Sequence, residues 1–229
     1  MTATTGLVLG VLDTVLVGRA EDYARGERSA IGKRPVNGPV TVGPVGVVGD
    51  EQGDPVFHGG PDKAVHHYAR DHYACWQRDL GALPLLDEPG AFGENLSSNG
   101  ITEADVCIGD RIRVGTAVLR VSQGRRPCWK LNVRFGVPDM ARRVLRTGRT
   151  GWYYAVEQPG TLCASDEFLV LDRPYPEWPM SRLLHLVLHR GGSAAEVADA
   201  VRLPLPDSWR ETLERRLRTG SAADEDWME

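Results

Sequence analysis

Through the first three quarters of the chain, apolar residues come in short runs cut off by glycine or proline; in the last quarter they recur at helical intervals. Runs at 40–42, 45–48, 111–114 and 117–121, rich in valine and leucine, predict strands. The last two flank Gly115-Thr116, a glycine-first loop that suits a tight two-residue hairpin. Segments 152–156 and 161–171 predict a second hairpin turning at Pro159-Gly160. Many short strands with glycine turns predict a barrel or a sandwich. Helices interrupt it. Val65, Tyr68, Ala69, His72, Tyr73, Trp76 and Leu80 recur at helical spacing, predicting a helix over 62–80 with Asp62 as cap and Gly81 as stop. A shorter helix is predicted from 138 through 145 towards Gly148.

The pattern changes at 172–179, where Pro174, Pro176 and Pro179 make a stiff linker. Three helices are predicted after it, at 181–189, 193–203 and 207–218. Ser193 with Glu196, and Ser208 with Glu211, match the capping-box spacing. The division is a β-rich domain over 1–172, a linker over 173–179, a three-helix segment over 180–221 and an acidic tail over 222–229. So small a helical segment lies near the lower limit for independent stability and is expected to pack on the main domain.

Composition narrows the function classes. The 229 residues fit one large domain with a small appendage. A formal net charge of −4 argues against nucleic-acid or membrane-surface binding by the whole protein. Residues 5–12 are apolar but follow no cation and soon meet Asp13, which is neither a secretory signal nor a membrane span. Cys75, Cys107, Cys128 and Cys163 form no CxxC pair, so a structural zinc site is not expected. Reduced thiols and a cytoplasmic location are the expectation.

Candidate chemistry gathers around Cys128, in Gln123-Gly124-Arg125-Arg126-Pro127-Cys128-Trp129-Lys130. Arg125, Arg126 and Lys130 lie within three residues of the sulfur and favour the thiolate, a nucleophile and soft metal ligand. Pro127 ends the preceding strand and puts the sulfur on a loop. These residues alone leave a second reading open, a small apolar core residue. In His58-Gly59-Gly60, two glycines let backbone N–H groups approach an anion, with Lys63 close behind. Ser29 and Lys33 precede a proline-fixed strand, and Glu94 and Asn95 sit in a polar loop between glycines. Taken singly, each of these segments reads better as an ordinary turn. His66, His67 and His72 lack the helical i, i+4 geometry of a zinc pair and read as packing or surface histidines. His185 and His189 have that spacing without the glutamate of HExxH. No dinucleotide-binding, P-loop or serine-hydrolase motif stands in a fitting context.

Several segments together carry a resemblance: Ala30-Ile31-x-Lys33-x-Pro35-Val36, Gly49-Asp50-x-Gln52-x-Asp54, His58-Gly59-Gly60-x-Asp62-Lys63-Ala64-Val65, Phe92-Gly93-Glu94-Asn95-Leu96 and Arg125-x-Pro127-Cys128-Trp129-Lys130-Leu131. In order and spacing the chain resembles the MOSC family (molybdenum cofactor sulfurase C-terminal domain) and, within it, the YiiM-like subgroup. The helical tail is similar to the segment that follows the domain in that subgroup. The resemblance implies a mostly β fold with some α: a distorted β-barrel with peripheral helices, then a small three-helix segment. It implies a pocket for the molybdenum cofactor, with Cys128 as metal ligand and no flavin, haem or zinc. Ser29, Lys33, His58, Gly59, Gly60, Lys63, Asn95 and Arg125 are then the candidate cofactor contacts. The implied activity is reduction of N-hydroxylated compounds such as hydroxylaminopurines and amidoximes, a detoxification. Electrons would come from a separate reductase of flavoprotein or ferredoxin type, and His58, then Glu94, are the candidate proton donors. The alternatives are a sulfur carrier with a persulfide on Cys128 and a non-catalytic cofactor carrier. A homodimer is compatible with all three; nucleic acid and membrane partners are not expected. Against the family pattern, Gly124 replaces a frequent proline and Arg126 a frequent glutamine.

Overall fold

The computed structural model describes residues 6–54 and 59–219. Nine strands form one curled, open half-barrel sheet, with β1 (Leu7–Val11) at one edge. Beside it run β14 (Glu167–Asp172), β10 (Arg111–Val114), β11 (Ala117–Gly124) and β12 (Trp152–Gln158), all antiparallel. Next come β8 (Val65–Ala69), β9 (Leu96–Ser98), β2 (Thr14–Val17) and the other edge, β5 (Arg34–Val36). Pro35 blunts that edge, since it has no N–H to offer a further strand. A three-stranded sheet joins β13 (Gly160–Leu162), β6 (Val40–Gly43) and β7 (Gly46–Val47), and β3 (Glu21–Asp22) pairs with β4 (Arg28–Ser29).

The β10–β11 hairpin forms as predicted, with Val114 opposite Ala117. Gly115 stands at φ +58°, and a Cβ there would lie 2.3 Å from the Thr161 carbonyl oxygen, so the turn requires glycine. The second predicted hairpin does not form. β12 already has β11 on one side and β8 on the other, so no edge is left for a partner across Pro159-Gly160. The chain leaves the sheet instead: β13 joins β6, and β14 returns between β1 and β10.

The helix predicted over 62–80 is also corrected. Residues 61–63 form one 3-10 turn, 65–69 are β8, and only α1 (Asp71–Leu80) is α-helical. All five residues of β8 are buried, because it is flanked on both edges and covered on both faces. A strand buried on both faces does not alternate, and its apolar positions matched a helical period by coincidence. β8 and β9 are the parallel pair, and α1 lies in the crossover that such a pair needs.

Five more α-helices are described: α2 (Lys130–Phe135), α3 (Met140–Thr147), α4 (Met180–Val187), α5 (Ala194–Ala200) and α6 (Asp207–Thr219). Six-residue α2 has no side-chain cap and too few turns to show a periodicity, and the sequence reading missed it. The Ser193–Glu196 capping box is made: Glu196 N–H donates to Ser193 Oγ at 3.3 Å, and Ser193 N–H donates to Glu196 Oε2 at 3.0 Å. Ser208 does not cap, because α6 starts one residue before it. The acidic tail lies outside the described residues.

One core runs from the sheet into the last three helices, with Val121 and Trp152 in the same cluster as Leu184, Trp209 and Leu213. A Cβ on Gly124 would stand 2.5 Å from a Leu184 methyl and 3.1 Å from the Trp209 ring, so the end of β11 is glycine where the helices press on it. A second core joins α1, α2, α3 and the 90–92 loop around Tyr68, Trp76, Phe92 and Phe135. There Tyr68 stacks on Phe92 at 4.0 Å between centroids. No helix among the described residues is long and apolar enough to cross a membrane.

Candidate functional site

Between the two cores lies a cleft of about 90 Å³. Residues after β4, the 50–54 segment, the start of β8, the 92–95 loop and the stretch from β11 into α2 all contribute to its wall. Six of the candidate residues line it: Ser29, Lys33, Lys63, Asn95, Arg125 and Cys128. Segments about 100 residues apart in sequence are thus brought to one place, as pieces of a common site must be. Gly59, Gly60 and Glu94 are not part of the lining, and His58 lies outside the described residues.

Cys128 sits, partly exposed, just before α2. The β3–β4 hairpin clamps the backbone beyond it. Tyr23 donates its hydroxyl hydrogen to the Lys130 carbonyl at 2.9 Å, and Arg25 lies over the Trp129 ring at 4.6 Å. Lys130 Nζ donates to the Arg28 carbonyl at 3.0 Å and pairs with Glu27 at 3.0 Å. Lys130 is therefore tied into the wall. Arg126 reaches the other way, donating to Thr212 Oγ1 of α6 at 3.3 Å.

Lys33 and Asn95 belong to a buried network. The Lys33 ammonium pairs with Asp50, and both side chains are 8% exposed. Burial lowers the Lys33 pKa, and the Asp50 charge opposes that shift. Asp50 also accepts from the Gly18 N–H at 2.7 Å and from Asn95 Nδ2 at 2.9 Å. Asn95 gives its other amide hydrogen to the Leu16 carbonyl at 3.2 Å and accepts from the His66 N–H at 3.1 Å. These two residues shape the cleft and hold its strands together. Asp50, which completes the network, was legible only as part of a motif.

Glu94, the second candidate proton donor, is engaged within the protein. Its side chain is fully buried; one oxygen accepts from the Gly90 N–H at 2.7 Å and the other from the Phe92 N–H at 3.0 Å. The Tyr73 hydroxyl donates to the same carboxylate. Glu94 fixes the glycine loop, which Arg134 of α2 also holds through the Ala91 and Gly90 carbonyls at 2.8 Å each.

Arg125 and His66 are different. Arg125 is 6% exposed, its backbone N–H donates to the Gly151 carbonyl at 3.0 Å, and its Nη1 has no partner. His66, 3% exposed on β8, lines the same cleft and leaves Nε2 without a partner. Burial, then the Arg125 charge, lowers the His66 pKa well below its usual value, so the ring is neutral. Tyr153 lines the cleft beside it, ring centroids 5.0 Å apart. Burial raises the Tyr153 pKa, against the pull of Arg125, so the phenol stays protonated. Adjacent His67 is a satisfied core residue, with Nδ1 at 3.0 Å from the Tyr154 hydroxyl and Nε2 at 2.7 Å from Ser98 Oγ. His66 was missed because its segment reads as helix, and no local signal separates it from His67.

Buried polar atoms without partners cost free energy unless something bound satisfies them. A cleft lined by a guanidinium, a thiol and the Lys63 ammonium suits an anionic ligand with soft-metal character. Among the described residues, no group of three His, Cys, Asp or Glu side chains is placed to hold a metal ion. A metal at Cys128 would bring its remaining ligands with it, as a dithiolene cofactor does. The residues present fit the molybdenum cofactor.

Comparison with known proteins agrees with this architecture. The family model for the MOSC domain matches residues 54–168, and that for the YiiM-like 3-alpha helix domain matches residues 178–220. Protein YiiM of Escherichia coli is 42% identical over 159 residues, covering 69% of this chain and 71% of that protein. A protein named "Reductase" from Gibberella moniliformis is 39% identical over 213 residues, which is 92% of this chain; the chain spans only 38% of that protein. The crystal structure of YiiM from Geobacillus stearothermophilus superimposes with a TM-score of 0.75 at 33% identity, covering 89% of this chain and 97% of that one. The chain therefore belongs to the MOSC-domain family, in the YiiM-like group that carries a three-helix domain after it.

Proposed function

We propose that this protein is a molybdenum-cofactor-dependent reductase that converts N-hydroxylated compounds, such as hydroxylaminopurines and amidoximes, into amines or amidines. The observation that carries the reading is the unpartnered, buried Arg125 Nη1 in the same cleft wall as Cys128 and Lys63. Family membership and the name of the fungal relative support an oxidoreductase role. When bound, the cofactor supplies the two-electron redox centre, and Cys128 is its ligand from this chain. Arg125 and Lys63, both in the cleft wall, are the donors for its anionic parts. Lys33 and Asn95 act on it indirectly, by holding Asp50 and the loop ends in register. Two electrons and two protons turn N–OH into N–H and water; the electrons come from a separate reductase.

The test pairs elemental analysis with an activity assay on protein purified from a host that makes the cofactor. Wild type is expected to hold stoichiometric molybdenum and to reduce hydroxylaminopurine when given a competent reductase. Cys128→Ser is expected to lose at least about 100-fold in rate while keeping its fold, since a hydroxyl is a poor ligand for a thiophilic metal. Metal-free protein, or a variant as active as wild type, would overturn the proposal. A stable persulfide on Cys128 without bound pterin would move the assignment to sulfur transfer.

A further inference from the structure

Strand β11 falls out of step with β12 at one point. Val121 stands opposite Tyr154 and Gln123 opposite Tyr153, so Ser122 is an extra residue and the strand bulges there. In a regular strand, consecutive side chains point to opposite faces. Here two consecutive side chains reach one backbone atom. Ser122 Oγ donates to the Asp62 carbonyl at 2.6 Å, and Gln123 Nε2 donates to it at 3.2 Å. Ser122 is 1% exposed and Gln123 4%, so water does not compete for these bonds. Ser122 Oγ also lies 3.0 Å from the Tyr153 carbonyl, which ties the grip to β12. Arg120 of the same strand adds a hold on the Asp62 carboxylate at 3.3 Å. The turn held in this way carries Lys63. It is a single 3-10 turn entered through Gly60 at φ +99°, and with glycine at its start no side chain caps it. The Lys63 N–H closes it on the Gly60 carbonyl at 3.0 Å. So short a turn has little order of its own, and β11 supplies it. Arg125 follows two residues after Gln123, then Cys128; with Lys63, both line the cleft.

We infer that Ser122 and Gln123 are positioning residues for the bound cofactor: the bulge turns both onto the Asp62 carbonyl, and through it they hold Lys63 in register with Arg125 and Cys128. This rests on the cofactor reading proposed above. Neither residue lines the cleft, so neither touches the ligand, and their effect passes through the lysine. A cation on a fixed turn binds an anionic group of the pterin more tightly than one on a loose turn, because less motion is lost on binding.

The rate at which pterin leaves the holoprotein on dialysis, read by the fluorescence of the released pterin, tests this. Wild type is compared with Ser122→Ala/Gln123→Met, with Lys63→Ala and with the three changes combined. Methionine keeps the length of glutamine and removes its donor. The double variant and Lys63→Ala are each expected to release pterin about tenfold faster, the lower end of what losing a supporting partner costs a bound metal group. The combined protein is expected to release it no faster than Lys63→Ala, since all three changes act through one ammonium. Should the double variant not fold, Ser122→Ala and Ser122→Thr stand in, with release about threefold faster from the alanine variant and unchanged in the threonine one, which keeps the hydroxyl. Wild-type release from the double variant, or from Ser122→Ala where it stands in, overturns the inference. Effects that multiply in the combined protein mark a general structural role and overturn it too, as does a Lys63→Ala protein that holds pterin as firmly as wild type. Wild type that contains no pterin instead brings down the cofactor reading, and the positioning role with it.

Discussion

His66 and His67 are neighbours on one strand with opposite fates, and both make the protein acid-sensitive. Burial lowers the His67 pKa to about 3, and burial with the Arg125 charge lowers that of His66 as well. In the unfolded chain both titrate near 6.5. Above that pH both states hold neutral rings and neither histidine affects stability. As the pH falls below it, the unfolded chain takes up protons that the folded protein refuses, so stability declines towards the folded pKa. His67 is expected to cost about 2 kcal/mol by pH 5, and His66 acts in the same direction. Urea unfolding followed from pH 7.5 to pH 5 checks this, and a flat profile would contradict the buried, neutral assignment. The two rings also show what cannot be read locally. They differ only in which way an alternating strand turns them, His67 onto Ser98 and Tyr154 and His66 into the cleft.

The 90–95 loop shows how a segment between two strands becomes a wall of the site. Residues 90–94 carry no periodicity, and their order comes from a carboxylate inside the loop and an arginine outside it. Glu94→Ala would leave the Gly90 and Phe92 N–H groups and the Tyr73 hydroxyl without their acceptor. It is expected to destabilise the fold by on the order of 3 kcal/mol in chemical denaturation. A Glu94→Ala protein of wild-type stability that had lost only its turnover would instead support the proton-donor role. The motif Phe92-Gly93-Glu94-Asn95 marks the loop in the sequence, but both polar residues in it turned out to bind protein. Charged and amide groups in a motif advertise hydrogen bonding, and spacing alone does not say whether the partner is a ligand or the chain's own backbone. The same ambiguity covered Lys33 until the structure set Asp50 against it.

Across the whole molecule, the last three helices complete the core and reach the cysteine segment. Leu184 and Trp209 close over Gly124, and Thr212 accepts from Arg126, two residues from Cys128. A chain ending at residue 172 would expose the apolar face that these helices cover. It is expected to melt more than roughly 10 °C lower than the full chain and to bind a hydrophobic dye. A truncated protein with an unchanged Tm would mean that the helices are an independent appendage. Glycine at 124 leaves room for Leu184 and Trp209 against the end of β11.

What could be read along the chain was whatever depends on near neighbours. The β10–β11 turn follows from Gly115-Thr116, the start of α5 from Ser193 and Glu196, and the placement of Cys128 on a loop from Pro127. Ordered motifs carried the family, because their order survives whatever the intervening loops do. Folding was needed for everything that depends on a distant partner. β8 is a strand because β12 and β9 offer it two edges; β12 and β13 stay apart because those edges are spent. The cleft follows the same logic. Arg125 Nη1 and His66 Nε2 lack partners because of what the fold packs around them. Hydrogen-bond supply and demand is a property of the packed molecule, and no stretch of sequence carries it.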